Sequence, residues 1–330
     1  MSSTTTASAV TVTEPGDRSV LQVREQPVAP PGSGEVQVEV AAAGVNFIDV
    51  YKRQGVYPVQ TPFVLGEEGA GTVTAVGDGV DGLAVGDRVA WCMAGGSMAT
   101  VVNQPASALV PVPDGIGLEL AAAAMLQGLT AHYLVTSTHE VKAGETALVH
   151  AAAGGVGQLL VQMVTARGAT VVATAGTDEK LEIARRLGAQ HLVNYSETDD
   201  LAAAVRQVAP DGVDVVYDGV GRSTFDASLA SLRPRGLMVL FGGASGQVPP
   251  FDLQRLNGAG SLFVTRPTLA HYIADRAEYE WRAREVLGAL ADGSLTLEVG
   301  GRYPLDRAAD AYAALEGRES TGKLVLVPGA

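Results

Sequence analysis

The chain has 330 residues and a formal net charge of -13, with a pI near 4.8. That length predicts two domains rather than one, and 47% hydrophobic against 18% charged residues is globular rather than disordered composition. Uniform acidity repels phosphate backbones and anionic lipid, so neither nucleic acid nor a membrane is an expected partner.

The N-terminal MSSTTTASAV lacks the basic and apolar regions of a secretory signal, and no apolar run reaches membrane-spanning length, so a cytoplasmic protein is expected. Short β-branched runs at 35–41, 71–76 and 88–91 alternate with Gly, Pro and Asp turns, a barrel-like pattern. Residues 46–53 have helical spacing. The lone cysteine, Cys92, excludes an intrachain disulfide and a multi-cysteine zinc site and is read as an apolar filler. Residues 110–114, extended by their prolines, are expected to cross into a second unit.

From the Ala-rich helix at 118–135 onward, strands and helices alternate. Strands are expected at 146–150, 170–175, 191–194, 213–217, 236–242 and 261–265, with helices at 155–166, 178–187, 200–208 and 223–232. Six strands separated by helices make a doubly wound nucleotide-binding arrangement. The remainder reads as helix to 288, a strand at 295–299, a helix at 307–315 and a final strand at 323–327. That last strand is expected to return to the first unit, giving discontinuous domains of 1–126 with 267–330 around 127–266.

The segment 146–157 reads TALVHAAAGGVG. An apolar strand runs into Ala152, Ala153, Gly154, Gly155, Val156 and Gly157, and a helix opens there. Side chains this small let the backbone approach a pyrophosphate whose charge sits at the positive end of the helix. The context of strand, turn and helix is what the dinucleotide fingerprint requires. About 20 residues later, where an NAD enzyme carries a carboxylate for the ribose hydroxyls, the strand ends at Gly176. Lys180 follows one helical turn on, and Asp178 is read as the cap of that helix. A bare strand end beside a lysine favours NADPH over NADH, with Tyr195 closing the adenine-ribose side.

The motifs at 46–51 (NFIDVY), 65–71 (LGEEGAG), 128–130 (GLT), 151–157 (AAAGGVG) and 264–267 (VTRP) occur in order. Together they resemble the zinc-independent quinone oxidoreductases, the zeta-crystallin-like branch of the medium-chain dehydrogenase/reductase superfamily. The resemblance implies an α/β protein with a GroES-like β-barrel catalytic domain and a Rossmann domain. It implies that Asn46, Phe47, Asp49, Tyr51 and Tyr57 line the nicotinamide side of a cleft, with Thr130 at the nicotinamide end. Ala153, Gly154, Gly155, Val156 and Gly157 would hold the pyrophosphate, and Gly176, Lys180 and Tyr195 the 2′-phosphoadenosine. Phe241, Gly242, Gly243 and Ala244, with Val264, Thr265 and Arg266, would frame the nicotinamide ribose and carboxamide. Gly243 departs from the family pattern, where Asn is common, so its contact would be through backbone. Lys323 matches a further family position.

Zinc alcohol dehydrogenases resemble this chain in fold but carry Cys where Asn46 stands and His where Glu67 stands, so no metal site is expected. Conjugated acceptors such as quinones and enones need less Lewis-acid help than alcohols, because they delocalise the incoming electron pair. Tyr51 and Tyr57 would hydrogen-bond the developing oxyanion, relay a proton with Asp49, or serve only as cleft walls while solvent protonates the product. Glu67 and Glu68 are cleft carboxylates or turn-stabilising groups. His132, His139, His191 and His271 lack metal spacing, and His150 is read as packing. The leading expectation is an NADPH:quinone reductase acting as a homodimer through the strand at 261–265. An alkenal or enoyl reductase, and an NADPH-binding protein with a structural role, are the alternatives.

Overall fold

The structure, a computed structural model, describes residues 4–317 and 320–329. The chain divides into two units, Met1–Leu129 with Asp275–Ala330, and Thr130–Ala274. The first begins with β1 (Thr5–Val12), β2 (Leu21–Val28), β3 (Glu35–Gly44), helix α1 (Phe47–Arg53), β4 (Phe63–Val64), β5 (Glu68–Val76), β6 (Arg88–Cys92), β7 (Val101–Pro105) and β8 (Val110–Pro111). β1 lies between β2 and β4 in a small antiparallel sheet, while β3 pairs with both β5 and β7. Val36, Val38, Val73, Val89 and Trp91 bury together in the core of this sheet.

Helix α2 (Leu118–Tyr133) contains the division between the units, and a π-helical turn, Leu134–Thr138, follows it. Then come β9 (Thr146–Val149), α3 (Gly155–Ala166), β10 (Thr170–Ala175), α4 (Asp178–Arg186), β11 (His191–Asn194), α5 (Leu201–Val208), β12 (Val213–Asp218), α6 (Phe225–Ser231) and β13 (Leu232–Leu240). A short helix α7 (Gln254–Gly258), β14 (Phe263–Thr265) and helix α8 (Leu269–Tyr272) close the unit. Its strands form one parallel sheet in the order β11-β10-β9-β12-β13-β14. The central strands are buried along nearly their whole length, with Ala147, Leu148, Val149, Val171, Val172 and Ala173 all fully buried, as a sheet covered on both faces requires. Strand order reverses between β9 and β12, the position at which such sheets open a ligand crevice beyond their carboxyl ends.

The chain returns to the first unit through α9 (Arg276–Ala291), β15 (Val299–Tyr303), α10 (Ala308–Glu316) and β16 (Lys323–Leu326). β16 pairs antiparallel with β3 and parallel with β15, extending the larger sheet. The architecture is the expected one: a GroES-like β-rich unit and a doubly wound α/β unit.

Three local expectations need correction, and two strands lie outside any expectation. Residues 110–114 do not cross into the second unit: Val110–Pro111 is β8, paired with β6, and the division falls after Leu129. The strand expected at 295–299 lies instead at Val299–Tyr303: Leu295 is buried, with its amide bonded to Ala289 at the end of α9. Gly300 and Gly301 disguise the true strand, and Gly300 is needed because a Cβ there would stand 1.8 Å from the Thr321 carbonyl oxygen. Asp178 is not the cap of α4. Thr177 is, its hydroxyl accepting from the Lys180 amide at 3.3 Å, while Asp178 accepts from Asn194 Nδ2 at 2.9 Å. Strands β1 and β2 were not expected at all, because β2 (LQVREQPV) is mostly exposed and carries no apolar run.

Candidate active site

In the α/β unit, the turn between β9 and α3 holds Ala153, Gly154, Gly155, Val156 and Gly157 together. Ala151 adopts φ +50, and the Gly154 amide folds back onto its carbonyl at 2.8 Å. A Cβ at Gly157 would come within 2.3 Å of the Ala151 carbonyl oxygen and 2.8 Å of the Ala152 Cα. Both are backbone atoms with nowhere to go, so the turn closes only with glycine there. Gly154 caps α3 without any side-chain acceptor, which leaves the first-turn amides of a 12-residue helix for an anion. The turn therefore fits a pyrophosphate.

At the end of β10, Tyr195 covers Gly176 so closely that a Cβ would lie 2.7 Å from the phenol oxygen. Lys180 sits in the first turn of α4, half-buried. No carboxylate occupies the strand end itself. Phe241 packs its ring against Gly219, and a Cβ at Gly242 would stand 2.5 Å from the Gly219 carbonyl oxygen, so the 241–244 and 218–221 segments touch through backbone. Thr130 is buried on α2, whereas Val264 and Arg266 are exposed at and just beyond the edge strand β14.

The β-rich unit gathers Asn46, Phe47, Asp49, Tyr51, Tyr57 and Lys323. Asn46 precedes α1, and its amide donates to Asp49 Oδ2 at 2.9 Å, tying the head of the helix. Phe47 and Tyr51 stand one turn apart with ring centroids 6.3 Å apart, and Tyr57 meets Tyr51 edge-on at 5.4 Å. Tyr57 is exposed, while Asp49 is completely buried. Burial, with the Glu67 carboxylate as a second cause, pushes the Asp49 carboxyl up to about 7, against the Asn46 amide and the Tyr312 hydroxyl, which favour its charged form.

Sequence reasoning missed how Lys323 and Glu68 are used. Lys323 Nζ donates to Glu68 Oε2 at 2.6 Å and to Asn46 Oδ1 at 2.7 Å. Asn46 Nδ2 donates to the same Glu68 oxygen at 2.8 Å, and Leu126 N donates to the other at 2.5 Å. Lys323 and Glu68 are fully buried. Gly44 leaves room for this pair, since a Cβ there would lie 2.0 Å from Glu68 Oε2 and 2.9 Å from Lys323 Cε, but one glycine among 40 is no signal in the sequence. Glu67, by contrast, pairs with Lys52. Among the described residues no three His, Cys, Asp or Glu side chains are placed to hold a metal ion.

A parallel-sheet nucleotide fold with a glycine turn, joined to a GroES-like unit, defines an oxidoreductase of the medium-chain dehydrogenase/reductase superfamily. Residues 32–143 match the profile of the alcohol dehydrogenase GroES-like domain and residues 155–283 that of the zinc-binding dehydrogenases. The chain is 42% identical to a 2-haloacrylate reductase of a Burkholderia species, covering 93% of this chain and 94% of that one. It is 43% identical to a quinone oxidoreductase of Pseudomonas aeruginosa, covering 95% and 97%. The solved structure of Escherichia coli quinone oxidoreductase complexed with NADPH superposes with a TM-score of 0.94 at 40% identity, over 97% of this chain and all of that one. The chain belongs to the quinone oxidoreductase family of that superfamily.

Proposed function

We propose that the protein is an NADPH-dependent quinone reductase that works without a metal ion. The observation that carries the cofactor is the end of β10: Gly176 roofed by Tyr195, Lys180 in the first turn of α4, and no carboxylate on the strand end itself, the nearest, Asp178, being held by Asn194. The full-length likeness to a quinone oxidoreductase solved with NADPH supports the same reading.

NADPH supplies a hydride, so that a quinone taking up that hydride and one proton leaves as hydroquinone. Ala153, Gly154, Gly155, Val156 and Gly157 hold the pyrophosphate, and Gly176, Lys180 and Tyr195 the 2′-phosphoadenosine. Thr130, Phe241, Gly242, Gly243, Ala244, Val264, Thr265 and Arg266 shape the nicotinamide end. In the β-rich unit, Phe47, Tyr51 and Tyr57 face the acceptor, and the tyrosine hydroxyls bond its reacting oxygen. Asn46 and Asp49 set the head of α1, and Lys323 holds Asn46 through its ammonium rather than touching the cofactor. Zinc independence is supported by that donor set: Asn46 and Glu68 already share one buried cation, Lys323, and carry no thiolate or imidazole. The β-rich unit is the catalytic domain and the α/β unit the nucleotide domain, with the boundaries expected at 126/127 and 266/267 lying three and eight residues before the divisions between the compact units.

The protein acts as a cytoplasmic homodimer. Support for the dimer is β14, which among the described residues pairs with β13 alone and exposes 60% of Phe263. Among the described residues no helix is long and apolar enough to cross a membrane. A monomer in sedimentation at working concentration would remove the dimer.

A second reading, reduction of an activated carbon–carbon double bond, is favoured by the 2-haloacrylate reductase at 42% identity. Steady-state rates on a small para-quinone, a 2-alkenal and a 2-haloacrylate, each with NADPH and NADH after chelator treatment, separate the readings. Turnover is expected with NADPH and the quinone. Preference for NADH, loss of rate with chelator, or turnover of only the alkene substrates would overturn the proposal, and cofactor binding without turnover of any would point to a structural role.

A further inference from the structure

A buried polar cluster crosses the carboxyl ends of three strands in the α/β unit. His150 follows β9 immediately and is buried, its backbone amide bonded to the Tyr217 carbonyl of β12 at 3.1 Å. Its Nδ1 lies 2.9 Å from Thr174 Oγ1 on β10, and its Nε2 lies 3.0 Å from Ser228 Oγ on α6. Ser228 Oγ also lies 2.8 Å from Asp218 Oδ2 at the end of β12, and Thr224 Oγ1 lies 2.7 Å from the same oxygen. Asp218 Oδ1 accepts from the amides of Val220 at 2.8 Å and Gly221 at 2.9 Å. Asp218, Ser228 and Thr174 are buried as completely as His150.

For a neutral imidazole, counting protons leaves one arrangement. A carboxylate only accepts, so the single hydroxyl proton of Ser228 goes to Asp218. Ser228 Oγ must then accept from His150 Nε2–H. With the proton on Nε2, Nδ1 is bare and accepts from the Thr174 hydroxyl. The imidazole is neutral and fixed as one tautomer. Burial lowers its basicity, and the opposing charge of Asp218 does not reverse this.

Apolar side chains would fill the same space with no desolvation cost, so the value of this cluster lies in directional geometry. Each strand end that it joins leads into one loop of the crevice. His150 precedes the glycine turn, where Ala151 is held at φ +50. Thr174 precedes Gly176, and its carbonyl accepts from the Ala152 amide at 3.0 Å. Asp218 holds the 219–221 turn, where Gly221 adopts φ +90 and Gly219 meets Phe241 and Gly242. None of the three side chains is exposed enough to touch a ligand.

We infer that His150, Ser228 and Asp218, with Thr174 and Thr224 at its ends, form a positioning relay that sets the three crevice loops relative to one another and so fits them to both ends of the dinucleotide. The inference rests on the proposed NADPH binding for its consequence, but its structural half can be read without any cofactor.

The test uses the full chain and three variants: Ser228→Ala, His150→Gln and His150→Asn. Glutamine keeps a donor near the Nε2 position for Ser228, and asparagine keeps an acceptor near the Nδ1 position for Thr174. In the cofactor-free protein, long-range nitrogen–proton spectra of wild type should show the Nε2–H tautomer. Amide exchange should then accelerate at Val220 and Gly221 in Ser228→Ala and His150→Asn, and at Ala152 in His150→Gln, while β13 stays protected. With NADPH, Ser228→Ala should raise Kd and KM roughly tenfold, the scale of one lost buried hydrogen bond, with the larger change in KM rather than kcat. An Nδ1–H tautomer, wild-type exchange at Val220 and Gly221 in Ser228→Ala, or acceleration spread evenly over the sheet would overturn the relay. If the wild type fails to bind NADPH, the proposed function falls, and the tautomer and exchange data still decide the relay. Should Ser228→Ala fail to fold, the tautomer and the contrast between glutamine and asparagine carry the decision.

Discussion

Lys323 and Glu68 are paired at 2.6 Å inside the β-rich unit with neither side chain exposed. Two charges taken out of water are costly unless their remaining hydrogen-bonding positions are filled. Here Glu68 receives Asn46 Nδ2 and the Leu126 amide as well, and Lys323 also donates to Asn46 Oδ1. Lys323→Met would leave a buried carboxylate without its cation and should cost about 3–5 kcal/mol of stability. Lys323→Met combined with Glu68→Gln should recover part of that loss, since the amide needs no counter-ion. Urea unfolding of the two single variants and the double variant checks this, and strict additivity would contradict it.

Gly157→Ala should damage the glycine turn in a way few other alanine substitutions could. Its methyl would meet the Ala151 carbonyl oxygen at 2.3 Å and Ala152 Cα at 2.8 Å, so the turn must open. Expected is a loss of NADPH affinity of roughly tenfold or more, about 1.4 kcal/mol, by fluorescence titration. Unchanged affinity would mean that the cofactor does not use this turn.

Lys180→Ala should separate the two nicotinamide cofactors. The lysine stands in the first turn of α4, four residues after Gly176 along the chain. Removing a charge-assisted hydrogen bond to a phosphate should weaken NADPH by roughly tenfold and leave NADH nearly unchanged. Equal effects on both would place the lysine's role elsewhere.

Asp49 and His150 should shape stability against pH in opposite directions. Folded Asp49 holds its proton up to about 7, whereas an unperturbed carboxyl releases it near 3.8. Between these values the native state binds more protons than the unfolded chain, so this contribution is present at low pH and lost as pH rises through the window. For His150 the folded value lies below 6.5, so its contribution is present above 6.5 and lost as pH falls through the folded value. Asp49→Asn keeps an acceptor for the Asn46 amide and removes the first effect. Its urea midpoint should rise relative to wild type as pH is raised from about 4 to about 7. The stability gap between wild type and His150→Gln should instead narrow on the acid side. Parallel midpoint curves would exclude both assignments.

The α/β unit was legible because its physics is local. A strand buried on both faces must be apolar along its length, and helices between strands show their own period, so residues 146–265 announced a doubly wound sheet. The glycine turn was legible for the same reason, since close backbone approach restricts residue type at fixed spacing. The β-rich unit was read less well: β2 faces solvent with Gln, Arg and Glu, and β15 is hidden behind Gly300 and Gly301.

Sequence alone determined the sheet order class, the glycine turn and the bare strand end at Gly176, because each follows from neighbours along the chain. Only the tertiary structure decided that Lys323 neutralises Glu68 across 255 residues, and that His150 reaches Ser228 across 78. A buried charge or a fixed tautomer is defined by what surrounds it in space. The partners that satisfy it come from separate strands and helices, so no local pattern of residue types encodes them.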